Sequence, residues 1–225
     1  VVVHGGGPQI GEMMTRLGKV PEFKNGQRVT DEETLDIVRM VLVGRINRDL
    51  VGALNASGTP SIGVSGEDAS LLRVVQMDGD LGFVGRVEEV QPDILRRLLA
   101  EGLVPVVATI GTDGDGQSYN VNADLAAGAL AAALGAAKLV YLTDVSGLRR
   151  DAADPATTVN SLTAKELEAM LVEGAVTGGM APKVRSCLDA LAAGVAEAHI
   201  LDGRVEHALL LELFTPEGVG TMVTP

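Results

Sequence analysis

The sequence predicts an α/β fold, with a mainly parallel sheet covered by helices on both faces. Three observations carry this. Short β-branched runs alternate with helical patterns along the whole chain. Val104–Ile110 and Lys138–Thr143 read as strands buried on both faces, the first apolar without alternation. Polar or glycine-rich clusters follow strand ends, where open parallel sheets bind ligands.

In order, Val1–His4 reads as a strand already under way at the first residue, so a further segment is expected upstream. Gly5-Gly6-Gly7-Pro8 then leads into a helix to about Leu17. Thr30-Asp31-Glu32-Glu33 reads as a capping box. It opens a long helix with apolar positions from Leu35 and Val38 to Leu50 and Leu54. Ser61–Ser65 is a strand, and Leu71–Met77 and Phe83–Val90 form a hairpin around Asp78-Gly79-Asp80. A helix over Asp93–Ala100 stops at Gly102. The strand Val104–Ile110 follows, then a polar loop, Gly111–Gln117, where a lobe boundary is expected. An Ala-rich helix, Ala123–Leu134, precedes the strand Lys138–Thr143. Thr163-Ala164-Lys165-Glu166 is a second capping box, opening a helix to about Val172. The helix Ala181–Ala193, strand Ala198–Asp202, helix Val205–Phe214 and short strand Thr221–Val223 complete the chain.

Composition narrows the function. With 225 residues, 46% apolar, the chain suffices for one large α/β domain or two small ones, without long disorder. Glycine is abundant at 28, pointing to tight turns and close backbone approaches. Aromatics are 2% with no Trp, against stacking platforms for single-stranded nucleic acid. A net charge of −12 disfavours nucleic acid and anionic membranes as partners. The single Cys187 excludes an intramolecular disulfide and a Cys-built zinc site, and it suits a reducing, cytoplasmic location. The most apolar run, Leu125–Ala137, is broken by Gly128 and Gly135 and is shorter than the roughly 20 residues of a membrane span.

Several residues stand where chemistry could occur. Gly5-Gly6-Gly7 is either a tight turn or a backbone cradle for phosphate at a helix N-terminus. Lys183, just after Pro182, falls near the positive end of a helix, where a cation is disfavoured unless an anion joins it. The alternative is a lysine extended to solvent. Asn120 and Asn122 point the same way if extended, and capping accounts for only one of Asn120, Asn122 and Asp124. Arg28 is either a carboxylate fork or a solvated surface arginine. Asp144 either accepts from a ribose or orders its turn. His4 reads as a strand-end hydrogen bonder and Cys187 as core; no histidine cluster points to a metal site. Together the glycines, lysine, arginine, asparagine and aspartate describe phosphoryl transfer to an acid by positioning and charge.

Five ordered motifs sharpen this reading. His4-Gly5-Gly6-Gly7-Pro8-Gln9, Gly26-Gln27-Arg28-Val29-Thr30-Asp31, Asn120-Val121-Asn122-Ala123-Asp124, Leu142-Thr143-Asp144-Val145-Ser146-Gly147 and Gly178-Gly179-Met180-Ala181-Pro182-Lys183 resemble those of acetylglutamate kinases, in the amino acid kinase family. The resemblance covers essentially the whole chain. It implies a three-layer αβα sandwich in one domain, with an acid-substrate and dimer lobe over 1–112 and a nucleotide lobe over 113–225. It implies transfer of the ATP γ-phosphate to the side-chain carboxylate of N-acetyl-L-glutamate, the second step of arginine synthesis, with Mg²⁺ arriving on ATP. Gly6 and Gly7 amides would hold the transferring phosphoryl group and Arg28 and Asn120 the acid. Lys183 would stabilise the phosphates and Asp124 would orient catalytic lysine. Thr143, Asp144, Val145, Gly147, Leu148, Gly179 and Met180 would line the nucleotide site. The family's first strand, with a lysine and a Gly-Gly pair, is expected upstream of Val1, and the Leu71–Phe83 region is short for the family.

The ending, from His207 through Glu212 to Gly218 and Gly220, resembles that of arginine-inhibited members. There Glu212 would meet the arginine guanidinium, aided by Lys138 and the Gly218 loop. Such enzymes are homodimers or homohexamers built from dimers. The competing readings are a kinase for a related acid, such as an aminoadipate derivative or carbamate; a non-catalytic arginine-sensing module; and a domain that only binds nucleotide.

Overall fold

The computed structural model describes residues 1–24, 26–77, 80–151, 154, 157–176, 178–215 and 218–225. Two compact units result, Val1–Ala126 and Ala127–Pro225. The first runs β1 (Val2–His4), α1 (Gly7–Arg16), β2 (Phe23–Lys24), β3 (Gln27–Arg28), α2 (Glu32–Arg39), a π-helical stretch over Met40–Ile46, α3 (Asn47–Ala56), β4 (Ser61–Ser65), β5 (Leu72–Gln76), β6 (Val84–Val90), α4 (Asp93–Ala100), β7 (Val104–Ala108), β8 (Ile110–Thr112), β9 (Ser118–Val121) and the start of α5 (Ala123–Leu134). The second runs β10 (Lys138–Thr143), β11 (Ser161–Thr163), α6 (Ala164–Val172), α7 (Met180–Ala192), β12 (Glu197–Asp202), α8 (Ala208–Phe214) and β13 (Gly220–Thr224).

The α/β class holds, and the sheet strands divide by unit. In the first unit β1, β7 and β4 form an all-parallel sheet in that order, with Val107 between Val3 and Val64. Beside it in sequence, β5, β6, β9 and β8 close a small barrel. Gly85 fits that barrel because a Cβ there would lie 2.8 Å from the Tyr119 Cβ. In the second unit the order is β10-β12-β13-β11, antiparallel only between β12 and β13. Its core gathers Leu167, Val184, Cys187, Ala198 and Ile200, all fully buried. Burial of each larger apolar side chain stabilises by about 1.5–3 kcal/mol.

Five sequence expectations need correction. The first capping box is shifted by one residue. Asp31, not Thr30, caps α2, accepting from the Thr34 amide at 2.8 Å. Thr30 is a fully buried bridge to Gly82 instead. The long helix is interrupted by the π-helical stretch, whose wider turn re-aims Asn47 and everything after it. The strand expected over Val104–Ile110 breaks at Thr109, so β8 leaves the sheet for the barrel, and Gly111 and Thr112 are strand rather than loop. Lys138–Thr143 is a strand at the expected limits, but it is not buried throughout: Lys138 and Leu142 are exposed. The last helix begins at Ala208 rather than Val205, after His207 at φ 60°. The second capping box forms as expected, with Thr163 and Glu166 exchanging backbone-to-side-chain bonds. Of the hairpin turn Asp78-Gly79-Asp80, the first two residues lie outside the described residues. Among the described residues no helix is long and apolar enough to cross a membrane.

The Asp31 cap makes a testable contribution. Lys19 bonds Asp31 at 2.7 Å, and with the Thr34 bonds it holds the carboxyl at about 2 rather than 3.8. A depressed carboxyl stabilises the fold above its unfolded value and loses that contribution as pH falls through the folded value. Asp31→Ala is therefore expected to lower stability by about 1 kcal/mol at neutral pH and to flatten the acid limb below roughly pH 4. Urea unfolding at pH 7 and pH 3 checks both.

Candidate active site

The first unit gathers several of the expected residues around the glycine loop. β1 ends at His4, and Gly5 and Gly6 lead into α1, whose first turn holds Gly7 and Pro8. Gly6 is the N-cap and, lacking a side chain, leaves the first amides of α1 without a side-chain cap. It has no room for one: a Cβ on Gly6 would lie 2.8 Å from Leu42 Cδ2 and would run into Ile46. Uncapped first-turn amides and the helix dipole together suit an anion.

Arg28 reaches this loop. It is buried, 8% exposed, and its Nη2 donates to the Gly7 carbonyl at 2.9 Å. Nη1 faces Met14 Sδ at 3.2 Å, and the guanidinium lies 4.7 Å over the Phe23 ring. Its partners among the described residues are thus a carbonyl, a thioether and a ring, none of them an anion. Burial shifts its pKa down, because desolvation disfavours the charged form. A guanidinium removed from water without a counter-charge is costly, and a ligand carboxylate would remove that cost. The solvated-arginine alternative is excluded by this placement.

Asn120 joins the same cluster. Its Nδ2 donates to Thr30 Oγ1 at 3.2 Å, and Thr30 Oγ1 donates to the Arg28 carbonyl at 2.9 Å. Sequence reading missed Thr30 as a connector because its position in a Ser/Thr-x-x-Glu pattern pointed to a cap. Asn120 and Asn122 do separate jobs. Asn122 Oδ1 accepts from the Asp124 and Leu125 amides, at 2.9 and 3.1 Å, and so caps α5. Asp124 then stands in the first turn with its carboxylate not needed as the cap.

The second unit holds the other expected residues. A cavity of about 140 Å³ is lined by Val145, Gly147, Leu148, Arg149, Ala175, Val176 and Met180. Four of the expected nucleotide-site residues meet there: Val145, Gly147, Leu148 and Met180. Gly147 has φ 128°, and a Cβ on it would lie 2.7 Å from Thr221 Oγ1, so the turn requires glycine. Thr221 fixes that turn from below, accepting from the Leu148 amide at 2.8 Å. Lys183 lies in the first turn of α7, after the N-cap Gly179. Thr143 ends β10 opposite Asp202, which ends β12. Asp202 carries a bidentate bond to Arg204 at 2.8 Å on each arm, and that pairing holds its carboxyl at about 2. This Asp-Gly strand end was not singled out from sequence, although it repeats the pattern of a strand running into an acidic turn.

The expected effector residues divide. Glu212 is buried and doubly held, by His199 Nδ1 and by the Val219 amide, both at 2.8 Å. Gly218, at φ 52°, lets the loop close over Glu212 Oε2. His199 continues to Glu197 at 3.2 Å, and Glu197 pairs with Lys138. Lys138, Glu212 and Gly218 are thus one network, with His199 as the member sequence reading missed. Gly220 starts β13 against Leu201. His207 stands apart, exposed and facing Glu206 at 3.4 Å.

The profile of the amino acid kinase family matches residues 1–202. Among curated proteins, the acetylglutamate kinase of Acidothermus cellulolyticus is 56% identical over all of this chain and 79% of its own length. That of Pelotomaculum thermopropionicum is 50% identical over 99% of this chain and 80% of its own. Among solved structures, an N-acetylglutamate synthase from Neisseria gonorrhoeae, complexed with coenzyme A and N-acetyl-glutamate, superposes with TM-score 0.86 and 28% identity. That match covers this whole chain and 51% of that one.

Proposed function

The chain belongs to the amino acid kinase family, and we infer that it is an acetylglutamate kinase, phosphorylating N-acetyl-L-glutamate with ATP in arginine biosynthesis. Relatives of that name at about half identity over nearly the whole chain support this. The observation that carries the substrate reading is Arg28. A buried guanidinium with no anionic partner among the described residues, beside a glycine loop and Asn120, suits an acid whose second carboxylate is presented to phosphate. The related-acid alternatives have no observation in their favour.

In this reading the acid's α-carboxylate binds Arg28 and its polar backbone meets Asn120. The Gly6 and Gly7 amides face the transferring phosphoryl group, where charge spreads in the transition state. Lys183 neutralises charge on the phosphates, Asp124 orients lysine, and the Val145–Met180 cavity takes the apolar face of the nucleotide. Mg²⁺ comes with ATP. The reading places the enzyme in the cytoplasm as a homodimer or a homohexamer built from dimers.

Arginine is proposed as a feedback inhibitor through Glu212. The carboxylate is already oriented by His199 and the Val219 amide, so a guanidinium would meet a preorganised acceptor. Glu212→Ala is expected to raise the arginine concentration for half-inhibition at least about tenfold, since a charge-assisted bond contributes roughly 1.5–3 kcal/mol. An arginine titration of ADP release in both proteins checks it, and an uninhibited wild type would remove the regulatory reading while leaving the kinase reading intact.

A further inference from the structure

His4 precedes the glycine loop and has no role in the reading above, yet it is buried and both ring nitrogens are engaged. The donors and acceptors around it can be assigned in one direction only. Val106 contributes a carbonyl, which can only accept, and Asn47 approaches it at 2.8 Å. The approaching atom is therefore the Asn47 amide nitrogen. Arg48, which can only donate, meets the other Asn47 atom, which is therefore the oxygen. Asn47 Nδ2 has a second hydrogen, and it points at His4 Nε2 at 3.2 Å. Nε2 must then be the bare, accepting nitrogen. The ring proton sits on Nδ1, which donates to the Gly5 carbonyl at 3.0 Å.

That last bond has a consequence in the loop. A peptide unit is planar and trans, so the Gly5 carbonyl and the Gly6 N–H point in opposite directions. Holding the carbonyl against His4 turns the Gly6 N–H away from the ring, to the outer side of the loop. Gly5 and Gly6 have no side chains to resist a peptide flip, so the orientation depends on what grips the carbonyl. Burial lowers the His4 pKa, in keeping with a neutral ring whose proton is placed by its neighbours.

We propose that His4 is a positioning residue: Arg48 and Asn47 lock it as the Nδ1–H tautomer, and that tautomer fixes the Gly5–Gly6 peptide so that the Gly6 amide faces the transferring phosphoryl group. The proposal rests on the reading of Gly6 as a phosphoryl-holding amide. The π-helical stretch explains how the relay is built, since Asn47 is the residue at which that stretch ends, and its side chain reaches from there to β1 and β7.

Two measurements test it. Long-range proton–nitrogen NMR on the intact, nitrogen-15 histidine-labelled protein reads the tautomer without any need for activity. His4 is expected to show a protonated Nδ1 and a bare Nε2, and Asn47→Leu to convert it to a mixture. An Nε2–H tautomer in the wild type would overturn the relay. For function, His4→Phe is expected to lower kcat for ADP formation about ten- to a hundredfold, with KM for both substrates within twofold. A misaimed donor weakens the transition state rather than ground-state binding. His4→Asn, which keeps a donor toward the Gly5 carbonyl, recovers most of the loss. A folded His4→Phe protein with wild-type kcat would overturn the role. A wild type with the expected tautomer but no acid-dependent ADP release would sink the phosphoryl reading of Gly6, and the positioning role with it.

Discussion

Lys183→Ala lowers kcat for ADP formation by about 10²–10³, with KM for the acid substrate little changed. This is the loss associated with one well-placed group that stabilises developing charge, about 2.7–4 kcal/mol. The argument begins with helix physics. Lys183 follows Pro182 in the first turn of α7, behind the N-cap Gly179, where the dipole is positive and a cation is unfavourable. An anion binding at the same helix end reverses the sign for both, and a polyphosphate gains from lysine and dipole together. Lys183→Arg keeps the charge but spreads it over a planar fork, so partial activity is the expected outcome. Single-turnover kinetics separate the chemical step from nucleotide release. An unchanged chemical rate in Lys183→Ala would remove the lysine from the phosphate site.

Arg28→Ala raises KM for N-acetyl-L-glutamate by about 30-fold or more and leaves ATP affinity within twofold. Truncating one member of a buried, hydrogen-bonded charge pair costs roughly 2–5 kcal/mol, and each 1.4 kcal/mol is tenfold in affinity. Arg28 is suited to this because Phe23 and the Gly7 carbonyl already hold its plane, so little freedom is lost when a carboxylate docks. Arg28→Lys is not expected to rescue, since an ammonium neither stacks as a plane nor presents a two-pronged fork. Calorimetric titration with each substrate separates the two affinities. Equal loss of both would mean that Arg28 supports the fold of the loop rather than the acid.

Much of this was legible in the sequence where local chemistry decides the outcome. Helices Asp93–Ala100 and Ala123–Leu134 and strand Ser61–Ser65 fall at the expected limits because glycines and caps punctuate strong apolar patterns there. Cys187 is core, as its helical neighbours indicated. Long-range placement was not legible. β2 and β3 are two residues each, too short for any period to show. The break at Thr109 depends on barrel closure, which no local pattern announces. The burial of Arg28 depends on Phe23, Met14 and Gly7 converging from different elements. The pairing of His4 with Asn47 joins residues 43 apart through a π-helical stretch that apolar spacing reads as ordinary helix.

The central claim is acid-dependent phosphoryl transfer at the glycine loop, and one assay tests it most directly. The intact protein is given ATP, Mg²⁺ and N-acetyl-L-glutamate, and ADP release is followed with hydroxylamine present to trap an acyl phosphate. The account predicts ADP and hydroxamate in equal amounts, no turnover without the acetylated acid, and collapse of both signals in Lys183→Ala. Tight arginine binding with no ADP release would contradict it and turn the assignment to an arginine-sensing module.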